Sequence, residues 1–293
     1  MSPHSHMKKT IILVVISLVF VSSVVAVWTA GTVLSAPARA SIGSAPTDLV
    51  IRNVQFPSES GSMIHGWFIE GMRGAGAIAL MHGVRANRTS MLDRARFLAH
   101  AGFSVLLFDF QAHGESAGDH ITFGYLESRD ARAAIDFLRR TVPDEKIGVI
   151  GVSMGGAASL LAEPPLAINA IVLEMVYPTI NQAVTNRLTM RFGRLGLALA
   201  PLLVWQLKPR LGVDPGTMRP IDHVGSMTVA KLFIVGAKDQ HTTIEESKKF
   251  FAAAHEPKEL WIIDAASHVD VYPLAKTEYE QRVLKFFTTN LRQ

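Results

Sequence analysis

The 293-residue sequence contains no cysteine, which excludes disulfide bonds, thiolate metal sites and a cysteine nucleophile. Charged residues make up only 18% of the chain, and the formal net charge is +4. The basic residues are scattered among acidic ones, without a basic block that aromatic residues interrupt. This pattern is typical of a solvated, mildly basic surface and argues against a nucleic-acid partner.

Charge is also missing near the N-terminus, where no charged residue lies between Lys9 and Arg39. At about 1.5 Å per residue, this apolar stretch can cross a hydrocarbon core of roughly 30 Å. We therefore assign residues 1–40 to a signal anchor or a signal peptide. The length of the stretch favours an uncleaved anchor, whereas the small residues of Ala38-Arg39-Ala40 fit signal-peptide cleavage.

The flanking charges predict the topology. Lys8 and Lys9 precede the apolar stretch, in the "MKKT" that begins at Met7, a typical opening for such a segment. They favour an N-terminus in the cytoplasm. We expect a single-pass membrane protein whose folded domain lies outside the cytoplasm, or alternatively a secreted or periplasmic protein after cleavage. Residues 41–47 are predicted to be a linker, and residues 48–293 a single domain.

The domain begins with a predicted β-hairpin, because strand-like runs at Arg52–Phe56 and His65–Glu70 flank a turn cluster. Nearly continuous apolar strands then alternate with helical segments as far as the C-terminus. This alternation predicts an α/β fold, with a mostly parallel central sheet and helices on both of its faces.

The stretch "KIGVIGVSMGGAAS" places Ser153 where a buried strand turns into a helix. Gly151 and Gly155 allow the strand and the helix to approach closely. The N-terminus of the following helix presents free N–H groups and the positive end of the helix dipole to the serine. We interpret Ser153 as a nucleophile instead of a residue in a purely structural glycine turn.

A serine nucleophile needs a base, and the base needs an orienting carboxylate. Asp239 follows the strand in "FIVGAKDQHTT", and His268 follows the next strand in "WIIDAASHVD". Because the carboxyl ends of parallel strands meet at one edge of a sheet, we expect both residues to lie near Ser153. The chain order of serine, acid and histidine supports this assignment. Glu174 is the alternative acid.

Several other polar groups lie near the strand ends and have other expected roles. Asp264 is a further alternative acid, and His82 and His113, each before a glycine near a strand end, are expected to have structural roles. The histidines and carboxylates show no metal-ligand spacing, so we predict neither a metal nor a cofactor. Two backbone N–H groups, of Met154 and Val84, are the candidate oxyanion hole.

Together these motifs resemble the α/β-hydrolase superfamily, in particular its esterase and serine-aminopeptidase-like branch. They are "LMHGVRANR", "FDFQAHGESAG", "GVSMGG", "VGAKDQHT" and "AASHVD". The resemblance covers residues 48–293, and it implies a helical lid over an acyl pocket at about residues 176–228. "VRANR" replaces the glycine-rich segment that many relatives have at this point. A membrane-dipping helix and a core helix are alternatives for the apolar run Leu195–Val204 in the lid.

The resemblance implies a serine hydrolase that cleaves carboxylic esters through an acyl-enzyme, with Ser153, Asp239 and His268 as its catalytic triad and a small-molecule ester as its substrate. An aminopeptidase, amidase or thioesterase with the same triad is an alternative. A non-catalytic, anchored binding module is a third possibility, although such a module would not need all three residues. The sequence leaves the acyl chain length and the oligomeric state open.

Overall fold

The computed structural model describes residues 3–268 and 271–292 of the chain. A long helix, α1 (Pro3–Ser35), precedes the folded domain. The segment Thr10–Ser35 is long and apolar enough to cross a membrane, and most of the large apolar side chains described along it are exposed. A signal sequence meets the same criterion of length and composition.

Eight strands form one sheet, and two short strands form a separate parallel pair. The strands are β1 (Ala38–Arg39), β2 (Ile51–Pro57), β3 (Met63–Ile69), β4 (Ala77–Met81), β5 (Ser104–Phe108), β6 (His113–Gly114), β7 (Ile147–Val152), β8 (Ala170–Glu174), β9 (Ala230–Gly236) and β10 (Lys258–Ile263). The order across the large sheet is β10-β9-β8-β7-β4-β5-β3-β2. Only the β2–β3 and β3–β5 pairs in it are antiparallel. The predicted hairpin and the mostly parallel sheet are therefore confirmed.

Helices cover both faces of the sheet. After α1 they are α2 (Leu92–His100), α3 (Tyr125–Thr141), α4 (Met154–Leu160), α5 (Ile180–Phe192), α6 (Arg194–Trp205), α7 (Leu207–Leu211), α8 (Pro220–Val224), α9 (Ile244–Ala253), α10 (Val271–Leu274) and α11 (Lys276–Leu291). Apolar residues of α3, α4 and α9 form the core on one face, and those of α2 and α11 form it on the other. The central strands are buried almost throughout because each of their two faces packs against helices.

The topology collects several loops at one edge of the sheet. Strands β4, β7, β8, β9 and β10 are parallel neighbours, so the loops that follow them lie side by side. Helices α5 to α8 form an insertion between β8 and β9, where the sequence predicts a lid. The loops after β7, β9 and β10 carry Ser153, Asp239 and His268.

Candidate active site

Ser153 lies on a sharp turn between β7 and α4. Its backbone has φ 49° and ψ −110°, a left-handed φ that a residue with a side chain rarely adopts. A residue held there costs about 1–3 kcal/mol, which the surrounding packing must offset. The Ser153 N–H donates to the Glu174 carbonyl oxygen at 2.8 Å, which ties the turn to the end of β8.

The glycines beside the serine are required by close backbone contacts. A Cβ atom on Gly155 would lie 2.3 Å from the Met81 carbonyl oxygen, and one on Gly151 would lie 2.5 Å from Gly156 Cα. Neither backbone neighbour is the flexible end of a side chain, so it cannot move away cheaply. The G-x-S-x-G spacing therefore follows from the packing of α4 against the ends of β4 and β7.

The structure brings Ser153, His268 and Asp239 into one chain of contacts. Ser153 Oγ lies 3.5 Å from His268 Nε2, and His268 Nδ1 lies 2.7 Å from Asp239 Oδ2. Asp239 is 5% exposed and the Ser153 residue is also 5% exposed, while the His268 side chain keeps 16% of its surface in solvent. His268 is thus the most accessible of the three, and it lies between the buried Asp239 and Ser153.

Backbone donors fix the carboxylate of Asp239. Its Oδ1 accepts hydrogen bonds from the N–H groups of His241, at 2.7 Å, and Thr242, at 3.0 Å. An ionised carboxylate only accepts, so His268 Nδ1 carries the proton in this contact. His268 Nε2 is then an acceptor that faces the serine hydroxyl, which is the arrangement needed for proton transfer.

Glu174, the alternative acid, is engaged elsewhere. Its carboxylate accepts hydrogen bonds from Arg94 Nη2 at 2.6 Å, from Arg94 Nε at 3.1 Å and from the Tyr279 hydroxyl. Burial and the neighbouring Glu174 raise the pKa of Tyr279 well above its usual value, so Tyr279 remains a neutral donor. Asp264 is exposed on the turn after β10. In the described part of the chain only Asp239, among these three carboxylates, contacts His268.

The loop after β4 lies beside the serine. A Cβ atom on Gly83 would be 3.8 Å from Ser153 Cβ, so Val84, the next residue, is close to the turn. The following Arg85 has φ 60°, and its N–H donates to His113 Nε2 at 3.0 Å. Met154 is the first residue of α4, where helical N–H groups have no intrahelical partner. Both predicted oxyanion donors thus belong to backbone segments next to Ser153.

His82 and His113 hold backbone segments near this loop. His82 Nε2 accepts from the Phe110 N–H at 3.1 Å, and His113 Nδ1 lies 2.8 Å from the Gln111 carbonyl oxygen. Burial lowers the pKa of His82 to about 3 and also lowers the pKa of His113. Neutral rings can accept hydrogen bonds from N–H groups, so both histidines position loops, which agrees with the structural roles expected for them.

Sequence reasoning missed the role of His241. Its ring stacks on that of His268, with centroids 4.6 Å apart and planes inclined by 27°. Burial, with a smaller contribution from Arg187, lowers the pKa of His241 to about 4. Its Nδ1 is buried and lacks a hydrogen-bond partner within residues 3–268 and 271–292. His241 is thus a neutral ring that packs against His268, and its place two residues after Asp239 was the available signal.

The lid insertion contacts the same loop. The Asn186 amide, on α5, donates to the His241 carbonyl oxygen at 3.1 Å and to Glu246 at 2.7 Å. Burial lowers the pKa of Arg187, the next residue on α5, and the nearby Tyr177 and Asp239 oppose that shift. One side of α5 therefore lies over the loop that carries Asp239.

No group of three or more histidines and carboxylates in the described residues could hold a metal ion.

Comparison with known proteins agrees with this architecture. The model of the serine aminopeptidase family S33 matches residues 73–218. Two crystal forms of the Pyrococcus furiosus esterase Pf2001 superpose with TM-scores of 0.72 and 0.70, at 24% and 26% identity. They cover 88% and 87% of this chain, and 98% and 99% of the esterase.

Two curated relatives of similar size extend the resemblance. YqkD of Bacillus subtilis is 24% identical over 78% of this chain and 77% of its own. YfhR of Salmonella typhimurium is 25% identical over 84% of each chain, and both proteins are described as uncharacterized. From these findings, the chain has the α/β-hydrolase fold and is similar to the esterase and serine-aminopeptidase-like branch of that superfamily.

Proposed function

We propose that this α/β hydrolase is a serine hydrolase that cleaves carboxylic esters through an acyl-enzyme intermediate. The observation that carries the proposal is the contact chain from Ser153 through His268 to Asp239. The distance from Ser153 Oγ to His268 Nε2, 3.5 Å, is at the long end for a hydrogen bond. Such contacts are often long before substrate binds and tighten in the complex.

In the proposed mechanism, Ser153 Oγ attacks the ester carbonyl carbon while His268 Nε2 takes the hydroxyl proton. The negative charge that develops on the carbonyl oxygen is stabilised by the N–H groups of Met154 and Val84. His268 then returns the proton to the departing alcohol, which leaves an acyl group on Ser153. A water molecule, activated by His268, hydrolyses this intermediate, and Asp239 stabilises the imidazolium in both halves of the reaction.

The charges near the site favour an ester over a peptide with a free amino terminus. An aminopeptidase needs a carboxylate to bind the substrate amine, and Glu174 and Glu115 are the candidates that the sequence places near the strand ends. Arg94 pairs with Glu174, and Arg88 pairs with Glu115. Two cations of α5, Arg187 and Arg191, are close enough to lower the pKa of His241. The esterase described for Pyrococcus furiosus supports the same choice. A thioester remains a possible substrate, since the triad would act on it in the same way.

The proposal also places the enzyme in a membrane, with α1 as an uncleaved anchor and the domain outside the cytoplasm. Residues just beyond α1 belong to the fold: Ala38 donates its N–H to the Ala112 carbonyl oxygen at 2.8 Å, within the β1–β6 pair. Cleavage after Ala40 would therefore remove a strand that pairs with β6. A mature N-terminus near Ser41, measured by intact mass on the exported protein, would contradict the anchor.

The test of activity is the hydrolysis of p-nitrophenyl esters, from acetate to long acyl chains, by the full chain in detergent. Ser153→Ala should lose activity by several powers of ten. Ser159→Ala is a matched control, because Ser159 lies on the same helix and its hydroxyl donates to the Gly155 carbonyl oxygen. It should retain most of the activity. Turnover by Ser153→Ala at the wild-type rate would refute the proposal. Folded wild-type protein that cleaves only thioesters or only amides would change the proposed substrate class from esters to that class.

A further inference from the structure

The hairpin of α5 and α6 carries a cluster of exposed, large apolar side chains. They are 44% to 64% exposed: Met190, Phe192, Leu195, Leu197, Leu202 and Trp205. In the rest of the described folded domain, such exposed side chains are scattered singly, at Val50, Met63, Met72 and Leu274. Apolar clusters of this kind on a surface usually mark an interaction site.

The apolar helix α1 lies against the same hairpin. Gln206, which follows α6, donates from Nε2 to the Val27 carbonyl oxygen at 3.0 Å. The Arg210 guanidinium donates to Thr32 Oγ1 at 2.6 Å and to the Trp28 carbonyl oxygen at 2.5 Å. It also lies 4.3 Å from the centre of the Trp28 ring. The C-terminal end of α1 is therefore held to the lid by specific side-chain contacts.

This contact fixes where a membrane would lie. The helix between Thr10 and the contact at Val27 is exposed and apolar, so a bilayer that α1 crosses ends beside the hairpin. The charges agree with this position. Arg191 and Arg194 lie among the apolar residues of the hairpin, Lys208 and Arg210 follow them, and the sequence has no acidic residue from Met175 to Val213. Basic residues next to an apolar surface suit anionic headgroups.

The other side of the hairpin faces the active site. The Asn186 amide donates to the His241 carbonyl oxygen. Arg187 is close enough to His241 to lower the pKa of that ring, and close enough to Asp239 for the carboxylate to act on the pKa of Arg187. The hairpin thus stands between the catalytic loops and the surface on which α1 ends. A bilayer crossed by α1 would reach an apolar cluster in this place, so the cluster would need no second protein to cover it.

We propose that the α5–α6 hairpin is a membrane-contacting surface, with its exposed apolar side chains embedded in the leaflet where α1 ends. The occupant is a lipid bilayer that contains anionic lipid. The inference depends on α1 remaining attached, as proposed above, but it does not depend on which bond the enzyme cleaves.

The absence of cysteine allows a direct test on the full chain. Leu197→Cys and Leu202→Cys each receive a nitroxide spin label in nanodiscs of phosphatidylcholine and phosphatidylglycerol. Val50→Cys is the matched control, because Val50 is an apolar residue that is 94% exposed and lies outside the hairpin. Collision rates with oxygen, which concentrates in lipid, and with a polar nickel chelate are then measured for each label.

Labels at Leu197 and Leu202 should collide often with oxygen and rarely with the nickel chelate, whereas the label at Val50 should show the reverse. Labels on the hairpin that behave like the one at Val50 would overturn the proposal. Labels that are shielded from both reagents would also overturn it, because a second copy or another protein would then cover the surface. None of these readouts uses activity, so a failed esterase assay and a failed membrane contact are distinguishable.

Discussion

Replacing Asp239 with asparagine changes little in size but reverses the hydrogen-bond roles at His268. The N–H groups of His241 and Thr242 both donate to Asp239 Oδ1. In the variant they would keep the amide oxygen at that position, so the amide nitrogen would face His268 Nδ1. Since that nitrogen is a donor, His268 Nδ1 would have to accept. Its proton would then sit on Nε2, which faces Ser153 and could no longer take the serine proton.

The size of the effect follows from this tautomer. In well-studied serine proteases the same exchange lowers kcat by about 10⁴-fold, which corresponds to about 5.4 kcal/mol in the barrier. We expect a loss of about 10³ to 10⁴ in kcat here, with a smaller change in KM, because the substituted atom does not touch the substrate. The backbone donors to Oδ1 remain satisfied, so we expect the variant to fold normally.

The assay is steady-state hydrolysis of the best p-nitrophenyl ester, with circular dichroism as a check on folding. Asp264→Asn is the matched control, since Asp264 is an exposed carboxylate on the turn after β10. Its kcat should stay within about twofold of wild type, as for a surface substitution away from the site. A folded Asp239→Asn enzyme with a kcat within tenfold of wild type would refute the reasoning and return attention to Glu174.

Three further predictions concern the surroundings of the triad. His113→Leu would leave the Arg85 N–H without its acceptor and displace the loop that carries Val84, the proposed oxyanion donor. The kcat should then fall by about 10- to 100-fold in steady-state assays. An unchanged kcat would show that His113 does not position that loop. The pKa of His241 in the folded protein is about 4, below its usual 6.5. Between pH 4 and pH 6.5 the unfolded chain therefore binds more protons at His241 than the folded protein does. The free energy of unfolding consequently decreases as the pH falls below about 6.5. His241→Phe should therefore be more stable relative to wild type at pH 5 than at pH 7.5 in urea unfolding, and an equal difference at both values would contradict this. Finally, the double variant Leu197→Ser, Leu202→Ser should hydrolyse soluble p-nitrophenyl acetate at the wild-type rate, but it should lose activity on a long-chain ester that is held in vesicles. Equal losses of activity on both substrates would argue against membrane contact by the hairpin.

The positions of Ser153, Asp239 and His268 at strand ends could be predicted because short-range patterns carry that information. Apolar runs mark the buried strands, and in a parallel sheet their carboxyl ends share one edge. The contact between these residues in the structure agrees with the expectation, although their catalytic roles remain proposals. The hairpin β2–β3 was likewise predictable from two strand-like runs around one turn cluster.

Contacts between distant residues could not be predicted in this way. Glu174 was a reasonable alternative acid by its place at a strand end, but its partners Arg94 and Tyr279 lie 80 and 105 positions away in the sequence. The stacking of His241 on His268 and the docking of Arg210 on Trp28 depend on how loops and helices meet in space. Periodicity describes which face of an element is apolar and leaves its partner unspecified.

The central claim is that Ser153 becomes acylated during turnover. The full chain in detergent would be mixed with p-nitrophenyl acetate, quenched in acid during the first turnovers and digested for mass spectrometry. One acetyl group on the peptide that contains Ser153, absent from the Ser153→Ala variant and longer-lived in the variant Asp239→Asn, is the predicted result. Hydrolysis without an acyl group on Ser153, or an acetylated peptide that persists in Ser153→Ala, would contradict the account.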